Sequence, residues 1–305
     1  GLFMTDEKVI LPPASDPDYI SALIEVCKKY SIQALFTGSE PELKKVSEFQ
    51  NEIRAEGIFL PMNPQAVITV CMDKARTMAF LKDNGFYFPA TQTIRSRDDL
   101  DLVDTFPVVL KPSVGGGGSA NCFIAQDADE LRLFGIWMLN IYSEFIVQQY
   151  VGSADCEYTV GVLCDMDGGL INSIAVKKNI LSALSNRLKI RSRYSGELLA
   201  LSNGITQGEI GRFPEISAQC EKIALRLGTR SAINIQLRFV DGKAYVFEIN
   251  PRYSGTSSFR AMVGYNEPDI LIRKHLLGET IQPHFPYREG TILRGLDEYF
   301  IENAR

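Results

Sequence analysis

Two neighbouring segments near residue 240 carry polar side chains at a spacing that suits metal binding. Ile233–Phe239 alternates apolar and polar residues, and after Asp241-Gly242 the run Tyr245–Asn250 keeps its apolar residues at odd numbers too. This period is typical of half-buried β-strands, so we predict two paired strands that bury their odd-numbered side chains. A two-residue turn would pair odd with even residues, so we expect an odd-length loop or a bulge around Asp241-Gly242. The other face would carry Asn234, Gln236, Arg238, Glu248 and Asn250.

This polar face offers the oxygen ligands that magnesium prefers. The carboxylate of Glu248 and the amide oxygens of Gln236 and Asn250 are hard donors, suited to Mg²⁺ bound together with phosphates, with Mn²⁺ as an alternative metal. Arg252 comes next and would place a guanidinium where negative charge develops during phosphoryl transfer. The simpler interpretation is an ordinary solvated face of a hairpin.

A glycine-rich tract follows a short apolar strand in the first half of the chain. The strand predicted over 106–111 ends in Lys111 and runs into four consecutive glycines, Gly115 to Gly118. Backbone N–H groups of such a tract can close over an anion, and Lys111 would add a point charge for the same phosphates. It is not a Walker loop, because a strand over 121–125 follows it. A hairpin loop without a ligand is the alternative.

Two further segments are compatible with nucleotide binding, and each has a simpler explanation. Glu144–Val151 is predicted as a buried strand whose polar end could pair with an adenine edge, or as a plain strand. Arg187, Lys189, Arg191 and Arg193 alternate on another predicted strand. These basic side chains would bind an anionic substrate or polyphosphate. Alternatively, they are only the charged, solvated side chains of an edge strand.

The elements around these motifs alternate between helices and strands. Residues 1–70 are predicted as strand, helix, strand and helix with short loops, including a buried strand at Gln33–Thr37, which favours a parallel sheet. Capping residues, glycine stops and apolar periodicity predict the later elements. These are a helix from Asp73 to Asp83, strands at Glu157–Cys164 and Leu170–Lys177, and a helix from Pro214 to Gly228.

Composition narrows the class of protein. With 305 residues, 45% of them apolar, the chain can form two or three lobes around a large core. The net charge of −5 argues against a general nucleic-acid or anionic-membrane binder. No apolar run approaches the roughly 20 residues of a membrane span, and no signal peptide is visible. Six scattered cysteines without a Cys-x-x-Cys pair indicate reduced thiols in a cytoplasmic protein rather than a zinc site.

Taken in order, the motifs resemble the ATP-grasp superfamily, and most closely its branch with carbamoyl-phosphate synthase large-chain domains and biotin carboxylase. The resemblance extends from about Ile58 to Arg305. It is carried by Met72-Asp73-Lys74, Phe106–Pro112 with the glycine tract, Val147–Val151, Glu157–Val160, Asn234–Gln236 and Phe247–Arg252. It implies an α/β (α+β) fold of two lobes gripping ATP. A partial Rossmann-like lobe would cover 1–70, an N-lobe with the lid 71–150, and a C-lobe with the metal site 151–305.

The resemblance also implies roles for individual residues. Lys74 and Lys111 would hold ATP phosphates, with Lys111 and Arg252 acting catalytically. The Mg²⁺ ligands would be Gln236, Glu248 and Asn250. The remaining nucleotide contacts would be Gly115, Gly116, Gly117, Gly118 and Ser119 over the phosphates, Gln148, Gln149, Tyr150 and Val151 along the adenine with main-chain contacts at Gln149 and Val151, and Glu157 near the ribose or phosphates.

The chemistry implied is transfer of the γ-phosphate to a small carboxylate, followed by attack of an amine or thiol on the acyl phosphate. Positioning and charge neutralisation carry most of such catalysis, so no Ser–His pair or reactive cysteine is needed. The alternatives are a bicarbonate- or carbamate-phosphorylating enzyme and a nucleotide-binding regulatory module without turnover. The expected partners are small molecules, not nucleic acid or membrane, and a homodimer is compatible with the sequence.

The chain departs from the family pattern at several places. The usual first lobe has a further strand–helix–strand ahead of Gly1, so we expect a truncated or naturally short chain. Gln148 stands where many relatives have glutamate, and Gln236 replaces an acid of several branches, which predicts weaker binding of a second metal. Residues 182–210 match no segment of the family, in a region that often helps to choose the substrate.

Overall fold

The structure is a computed structural model and describes residues 5–115, 119–182, 184 and 186–295. None of the helices in these ranges is both long and apolar enough to cross a membrane. The helices are α1 Tyr19–Lys29, α2 Glu40–Glu48, α3 Gln50–Ala55, α4 Gln65–Cys71, α5 Lys74–Asp83, α6 Ala128–Leu139, α7 Pro214–Leu227, α8 Ser257–Met262 and α9 Glu267–His275. The strands are β1 Thr91–Ile94, β2 Val108–Pro112, β3 Phe123–Ala125, β4 Phe145–Gln149, β5 Glu157–Cys164, β6 Leu170–Lys178, β7 Asn186–Arg191, β8 Leu198–Ser202, β9 Gly208–Gly211, β10 Ala232–Val240, β11 Lys243–Asn250 and β12 Gly290–Ile292.

Within the described ranges the strands form three antiparallel sheets. The first has the order β1-β4-β2-β3, the second β11-β10-β5-β6-β9-β12, and β7 and β8 form a separate hairpin. Helices pack against these sheets rather than alternating with parallel strands, so the fold is α+β and the prediction of two α+β lobes is confirmed. The segment 148–151, predicted as an adenine hinge, covers the end of β4 and the start of the connection to β5, and so links the two larger sheets.

Local capping signals correctly predict several helix ends. The Asp73 side chain accepts from the backbone N–H groups of Ala75 and Arg76, which starts α5 where the sequence predicts it. Pro214 begins α7, and Gly228 ends it with a φ of 76°, a left-handed conformation that favours glycine.

The strand predicted at Gln33–Thr37 is wrong. Only one parallel bridge forms there, between Ala34 and Phe59, with hydrogen bonds from Leu35 N–H to the Phe59 carbonyl and from Phe59 N–H to the Gln33 carbonyl. The chain then leaves this pairing, and Phe36 packs its ring edge-on against Tyr253. A short apolar run can therefore pack against a distant segment and be partly covered without becoming a strand.

The six-stranded sheet buries its two faces in different ways. One face packs Val160 and Ile235 against the apolar stripes of α5 and α7. The opposite face packs Leu163 and Ala232 beneath α8 and α9. Farther along β5 and β10, this second face becomes polar at Thr159 and Gln236, which are paired across the two strands. The polar end of this face forms the floor of the candidate site.

Candidate functional site

A groove composed of two adjoining cavities lies between the four-stranded and six-stranded sheets. The larger cavity, about 680 Å³, is lined by both apolar and charged side chains. The smaller one, about 620 Å³, has mainly polar walls and includes residues from α2 and from the segment after β11. Ser119, Ser202, Phe247 and Glu248 line both cavities. The groove therefore combines a compartment suited to a base with one suited to charged groups.

The turn between β10 and β11 corrects one sequence prediction. It is a two-residue turn at Asp241-Gly242, with φ values of 49° and 74°, so the expected odd-length loop is wrong. Two positive φ values are typical of the hairpin turn that matches strand twist, which an Asp-Gly pair adopts readily. The bulge lies instead at Phe247, because the register shifts between the Leu237–Val246 and Gln236–Glu248 pairs.

The bulge also changes which side chains of β11 are buried. Ala244 and Val246 lie in the core, whereas Tyr245 and Phe247, predicted as buried, are only partly covered. Near the turn, β10 therefore buries odd-numbered residues and β11 buries even-numbered ones. The extra residue at Phe247 shifts the alternation, so that β11 then buries the odd-numbered Ile249 in the core. As a result Glu248 is directly opposite Gln236, on the polar face.

Gln236, Glu248 and Asn250 all line the polar cavity. The Gln236 side-chain amide donates to Glu248 Oε2 at 2.6 Å, and Asn250 lies opposite Asn234 across the hairpin. One carboxylate and two amides fit Mg²⁺, which usually takes few protein ligands and shares substrate phosphates. Within the described ranges, no group of three or more His, Cys, Asp and Glu residues could hold a metal alone. The donor set therefore fits a metal that arrives with a polyphosphate.

Two lysines from different elements converge on the same carboxylate region. Lys74, the first residue of α5, donates to the Gly115 carbonyl at 2.9 Å, and its Nζ lies 3.8 Å from Glu248 Oε1. Lys111 on β2 donates to the Phe247 carbonyl at 3.0 Å. Both line the larger cavity together with Glu248, so two ammonium groups lie near this carboxylate.

Burial perturbs the acid–base behaviour of one of these lysines. Desolvation lowers the pKa of Lys111 to about 8, with Glu248 acting in the opposite direction and Lys74 lowering it further. A buried ammonium close to another cation favours an anionic ligand, because the ligand would supply the missing negative charge.

The glycine tract is only partly described. Gly115 has a φ of 76°, and Ser119 Oγ donates to the Ser202 carbonyl at 2.6 Å. This bond links the end of the tract to the β7–β8 hairpin. The predicted phosphate contacts of Gly116, Gly117 and Gly118 lie outside the described residues.

The predicted hinge, Gln148–Val151, lines the larger cavity along its whole length. The buried Gln148 amide donates to Thr91 Oγ1 at 2.9 Å, so this side chain holds β4 to β1. Gln149 N–H donates to the Ala90 carbonyl at 2.8 Å, which leaves the Gln149 carbonyl as its main-chain group for a base. The Val151 carbonyl accepts a hydrogen bond from Arg238 at 3.0 Å, so the Val151 N–H is the main-chain group of this residue that remains for a base.

Glu157 belongs to a buried ion cluster that the sequence does not predict. Its carboxylate accepts from Lys178 at 2.8 Å and from Ser202 Oγ at 2.6 Å, and Arg238 lies 3.5 Å away. Burial acts to raise the pKa of Glu157, but Lys178 and Arg238 outweigh it and lower the value overall. Arg238 also covers the ring of Tyr150. Glu157 lines the larger cavity, but its oxygens already have protein partners.

Arg252 pairs with a residue that the sequence does not single out. Its guanidinium lies 3.3 Å from Glu40 at the start of α2, and both line the polar cavity. Glu40 is far from the motifs in sequence, and a glutamate in the first turn of a helix is common, so no local pattern marks it. The pair brings residues 1–70 to the edge of the site.

The basic side chains of β7 are exposed and line neither cavity of the groove. Arg187, Lys189 and Arg191 alternate on the exposed face of the strand. Arg193 pairs with Asp127 and Glu130 at the start of α6. Among the interpretations of this stripe, the solvated edge agrees best with the geometry.

Comparisons with protein families and with individual proteins both find similarity to ATP-grasp proteins. Residues 71–256 match the ATP-grasp domain, and residues 1–60 match the PylC-like N-terminal domain. A carbamoyl phosphate synthase large chain of Pasteurella multocida is 22% identical over 94% of this chain. That of Gemmatimonas aurantiaca is 29% identical over 75%. The chain spans only 27% and 20% of the lengths of these two relatives.

Solved structures with similar folds include several ligases and carboxylases. The biotin carboxylase domain of a 2-oxoglutarate carboxylase from Hydrogenobacter thermophilus, in complex with MgADP and bicarbonate, has a TM-score of 0.65 at 18% identity, over 93% of this chain and 62% of that one. A D-alanine–D-alanine ligase from Bacillus anthracis has a TM-score of 0.56 at 18% identity, over 84% of both chains. These similarities show the fold. Because the domain match covers more than half of the residues, the chain belongs to the ATP-grasp domain family.

Proposed function

We propose that this chain binds ATP together with Mg²⁺ and activates a small carboxylic acid as an acyl phosphate, which an amine or thiol then attacks. The observation that carries the proposal is the convergence of Lys74, Lys111 and Glu248 where the two cavities meet. The proposal includes the division into a first lobe over 1–70, an N-lobe over 71–150 and a C-lobe over 151–305.

The larger cavity suits the nucleotide. Its hinge offers the Gln149 carbonyl and the Val151 N–H to the edge of an adenine, and Val109 and Leu201 offer apolar surface to the ring. Lys74 and Lys111 would then neutralise phosphate oxygens, with Gly115 to Ser119 above them. Glu157 would contribute through the cluster that supports the hinge, since Lys178 and Arg238 already occupy its carboxylate.

The polar cavity suits the reacting acid. Glu248, Gln236 and Asn250 would hold Mg²⁺, or Mn²⁺ in its place, and the ion would neutralise charge on the phosphates. Arg252 would bind the acid or its acyl phosphate, because a guanidinium matches the geometry of both oxyanions. With these groups preorganised, catalysis needs only alignment and charge compensation.

A second candidate, phosphorylation of bicarbonate or carbamate, is favoured by the names of the carbamoyl phosphate synthase relatives. Glu40 argues against it, because this carboxylate lines the cavity beside Arg252 and would repel a small inorganic anion. A larger organic acid can keep its carboxylate at Arg252 and place a neutral or cationic part near Glu40. Bicarbonate, ATP and Mg²⁺ alone would release ADP only under the second candidate.

The test is a screen for ADP release. Purified protein with ATP and Mg²⁺ is given bicarbonate, acetate and a panel of amino acids, singly and in pairs, and the products are identified by mass spectrometry. We expect ADP release that depends on an organic acid and disappears in Glu248→Ala, with Glu209→Ala on the exposed side of β9 as the matched control. Equal ADP release with and without an acid would contradict the ligase assignment, whereas ATP binding with no ADP release under any condition would support a nucleotide-binding module without turnover.

A further inference from the structure

A fully buried arginine lies beneath the polar face of the six-stranded sheet. Arg260 of α8 donates to the Glu267 carboxylate at 2.9 Å, and neither side chain has exposed surface. Ser257 Oγ donates to the other oxygen of that carboxylate at 2.5 Å. Arg260 Nε has no partner among the described residues. Because desolvation largely offsets the attraction within a buried ion pair, stability alone is a weak reason for such an arrangement.

The sheet leaves space for this guanidinium. Gly161 of β5 lies opposite Asn234 of β10. A Cβ atom on Gly161 would lie 2.1 Å from Arg260 Nη1, far inside van der Waals contact. Glycine at this position therefore allows the guanidinium to reach the next strand.

The guanidinium group of Arg260 hydrogen-bonds to the side chain of Asn234. Arg260 Nη2 donates to Asn234 Oδ1 at 2.7 Å, and Thr159 Oγ1 donates to the same oxygen at 2.9 Å. A guanidinium has donors only, so the atom that faces it has to be the amide oxygen. This contact fixes the orientation of the Asn234 amide. Its oxygen is occupied by two donors, so its NH₂ group is the part of the amide that can still bind a ligand.

Asn234 borders the polar cavity. The residue as a whole is 4% exposed and lines the cavity together with Asn250 and Arg252. None of the described residues accepts a hydrogen bond from Asn234 Nδ2. Asn234 Nδ2 is not among the fully buried unpartnered atoms of the described residues, so this donor reaches the open cavity, where a ligand oxygen can replace water as its acceptor.

We infer that Arg260, held by Glu267, is a positioning residue that fixes the Asn234 amide so that its NH₂ group binds an oxygen of the acid or of its acyl phosphate. The inference rests on the proposed function, which supplies that oxyanion. A fixed donor suits a carboxylate or phosphoryl oxygen and disfavours a metal ion or an ammonium group. Asn250, opposite Asn234, has no such restraint from the described residues and remains the metal ligand of the pair.

The test uses inorganic phosphate as the oxyanion probe, titrated by calorimetry into protein saturated with MgADP. Asn234→Asp keeps the size of the side chain but replaces the donor with an oxygen, so phosphate affinity should fall about tenfold or more. Arg260→Lys should lower it in the same direction. The affinity for MgADP itself should stay within about twofold of wild type in both variants, and Asn51→Asp on the exposed side of α3 should change neither affinity.

A double variant separates positioning from a general structural role. If Arg260 acts through Asn234, Arg260→Lys/Asn234→Ala should bind phosphate no more weakly than Asn234→Ala alone. Additive losses, unchanged phosphate affinity in Asn234→Asp, or no phosphate binding by the wild-type MgADP complex would each overturn the inference. Should Arg260→Lys fail to fold, Thr159→Val removes the other donor to Asn234 and is expected to weaken phosphate binding. Absence of MgADP binding would instead overturn the proposed function itself, and the inference with it.

Discussion

Lys111 shows how the position of a single side chain gives it unusual electrostatics. It lies near the end of the buried strand β2, donates to the Phe247 carbonyl, and has Lys74 close enough to disfavour its charge. The sequence predicts that Lys111 lies beside the glycine tract, because the two are adjacent in one segment. It does not predict the environment, since Phe247 is 136 residues away and its carbonyl turns toward Lys111 only after the chain folds.

The pKa of Lys111 predicts a pH dependence of ATP binding. With a pKa of about 8 in the free protein, the charged fraction falls as the pH rises from 7 to 9. Phosphate binding needs the charged form, so we expect ATP affinity to fall about tenfold for each pH unit above 8. Calorimetric titration with ATP across this range measures the effect.

Two variants serve as controls for this prediction. Lys111→Arg stays charged throughout the range and should remove the slope above pH 8. Lys82→Ala, on the exposed side of α5, should keep the wild-type slope. A slope unchanged in Lys111→Arg would assign the titration to another group.

At the scale of elements, four strands meet at one buried carboxylate. Glu157 of β5 is bonded by Lys178 of β6 and Ser202 of β8, with Arg238 of β10 alongside. Ser119 Oγ donates to the Ser202 carbonyl, so the glycine tract is linked to this cluster. The β7–β8 hairpin is thereby held against the larger cavity.

Breaking the Glu157–Lys178 pair should destabilise the protein strongly. Lys178→Met leaves a buried carboxylate without its nearest cation, and we expect a loss of about 3–5 kcal/mol in the free energy of unfolding. Adding Glu157→Gln should recover part of this loss. Urea denaturation measures both values, and Lys177→Met, partly exposed on the same strand, should change stability by less than about 1 kcal/mol.

The same cluster predicts acid sensitivity. The folded protein lowers the pKa of Glu157, so its contribution to stability is present above the usual carboxyl pKa and is lost as the pH falls through the lowered value. Glu157→Gln should therefore show a flatter stability profile between about pH 5 and pH 2. A profile as steep as that of wild type would assign the acid sensitivity to other carboxylates.

Elements defined by local signals could be predicted, and those defined by register could not. The cap at Asp73 and the stop at Gly228 are local, and both helices form where expected. The bulge at Phe247 depends on how a two-residue turn and a cross-strand register fit together, so its position was wrong even though a bulge was expected. The Glu157 cluster joins residues from four strands, and no short pattern contains it.

At the scale of the whole molecule, one asparagine joins residues 1–70 to the site. Asn63 has no exposed surface, and its amide donates to the carbonyls of Ala232 and Pro251. Its oxygen accepts from the Arg230 N–H at 3.0 Å. It therefore holds the start of β10 beside the end of β11, next to Asn250 and Arg252. The order of the family motifs can be recognised in the sequence, but such a contact between distant segments has no local signal.

Removing this connection should weaken the fold. Asn63→Ala leaves two buried carbonyls and one N–H without partners, and we expect a loss of about 3 kcal/mol in the free energy of unfolding. Chemical denaturation measures it, with Asn51→Ala on the exposed side of α3 as the matched control. A loss no larger than that of the control would show that water or a neighbouring group replaces the Asn63 amide.

The central claim is that Glu248, with Gln236 and Asn250, holds a metal ion against a nucleotide bound by Lys74 and Lys111. ATP titrated by calorimetry with Mg²⁺ and with a chelator, into wild type and Glu248→Gln, tests it most directly. We expect Mg²⁺ to tighten ATP binding to wild type about tenfold or more, and this gain to vanish in Glu248→Gln while metal-free binding persists. An equal Mg²⁺ gain in both proteins, or no ATP binding to wild type, would contradict the claim.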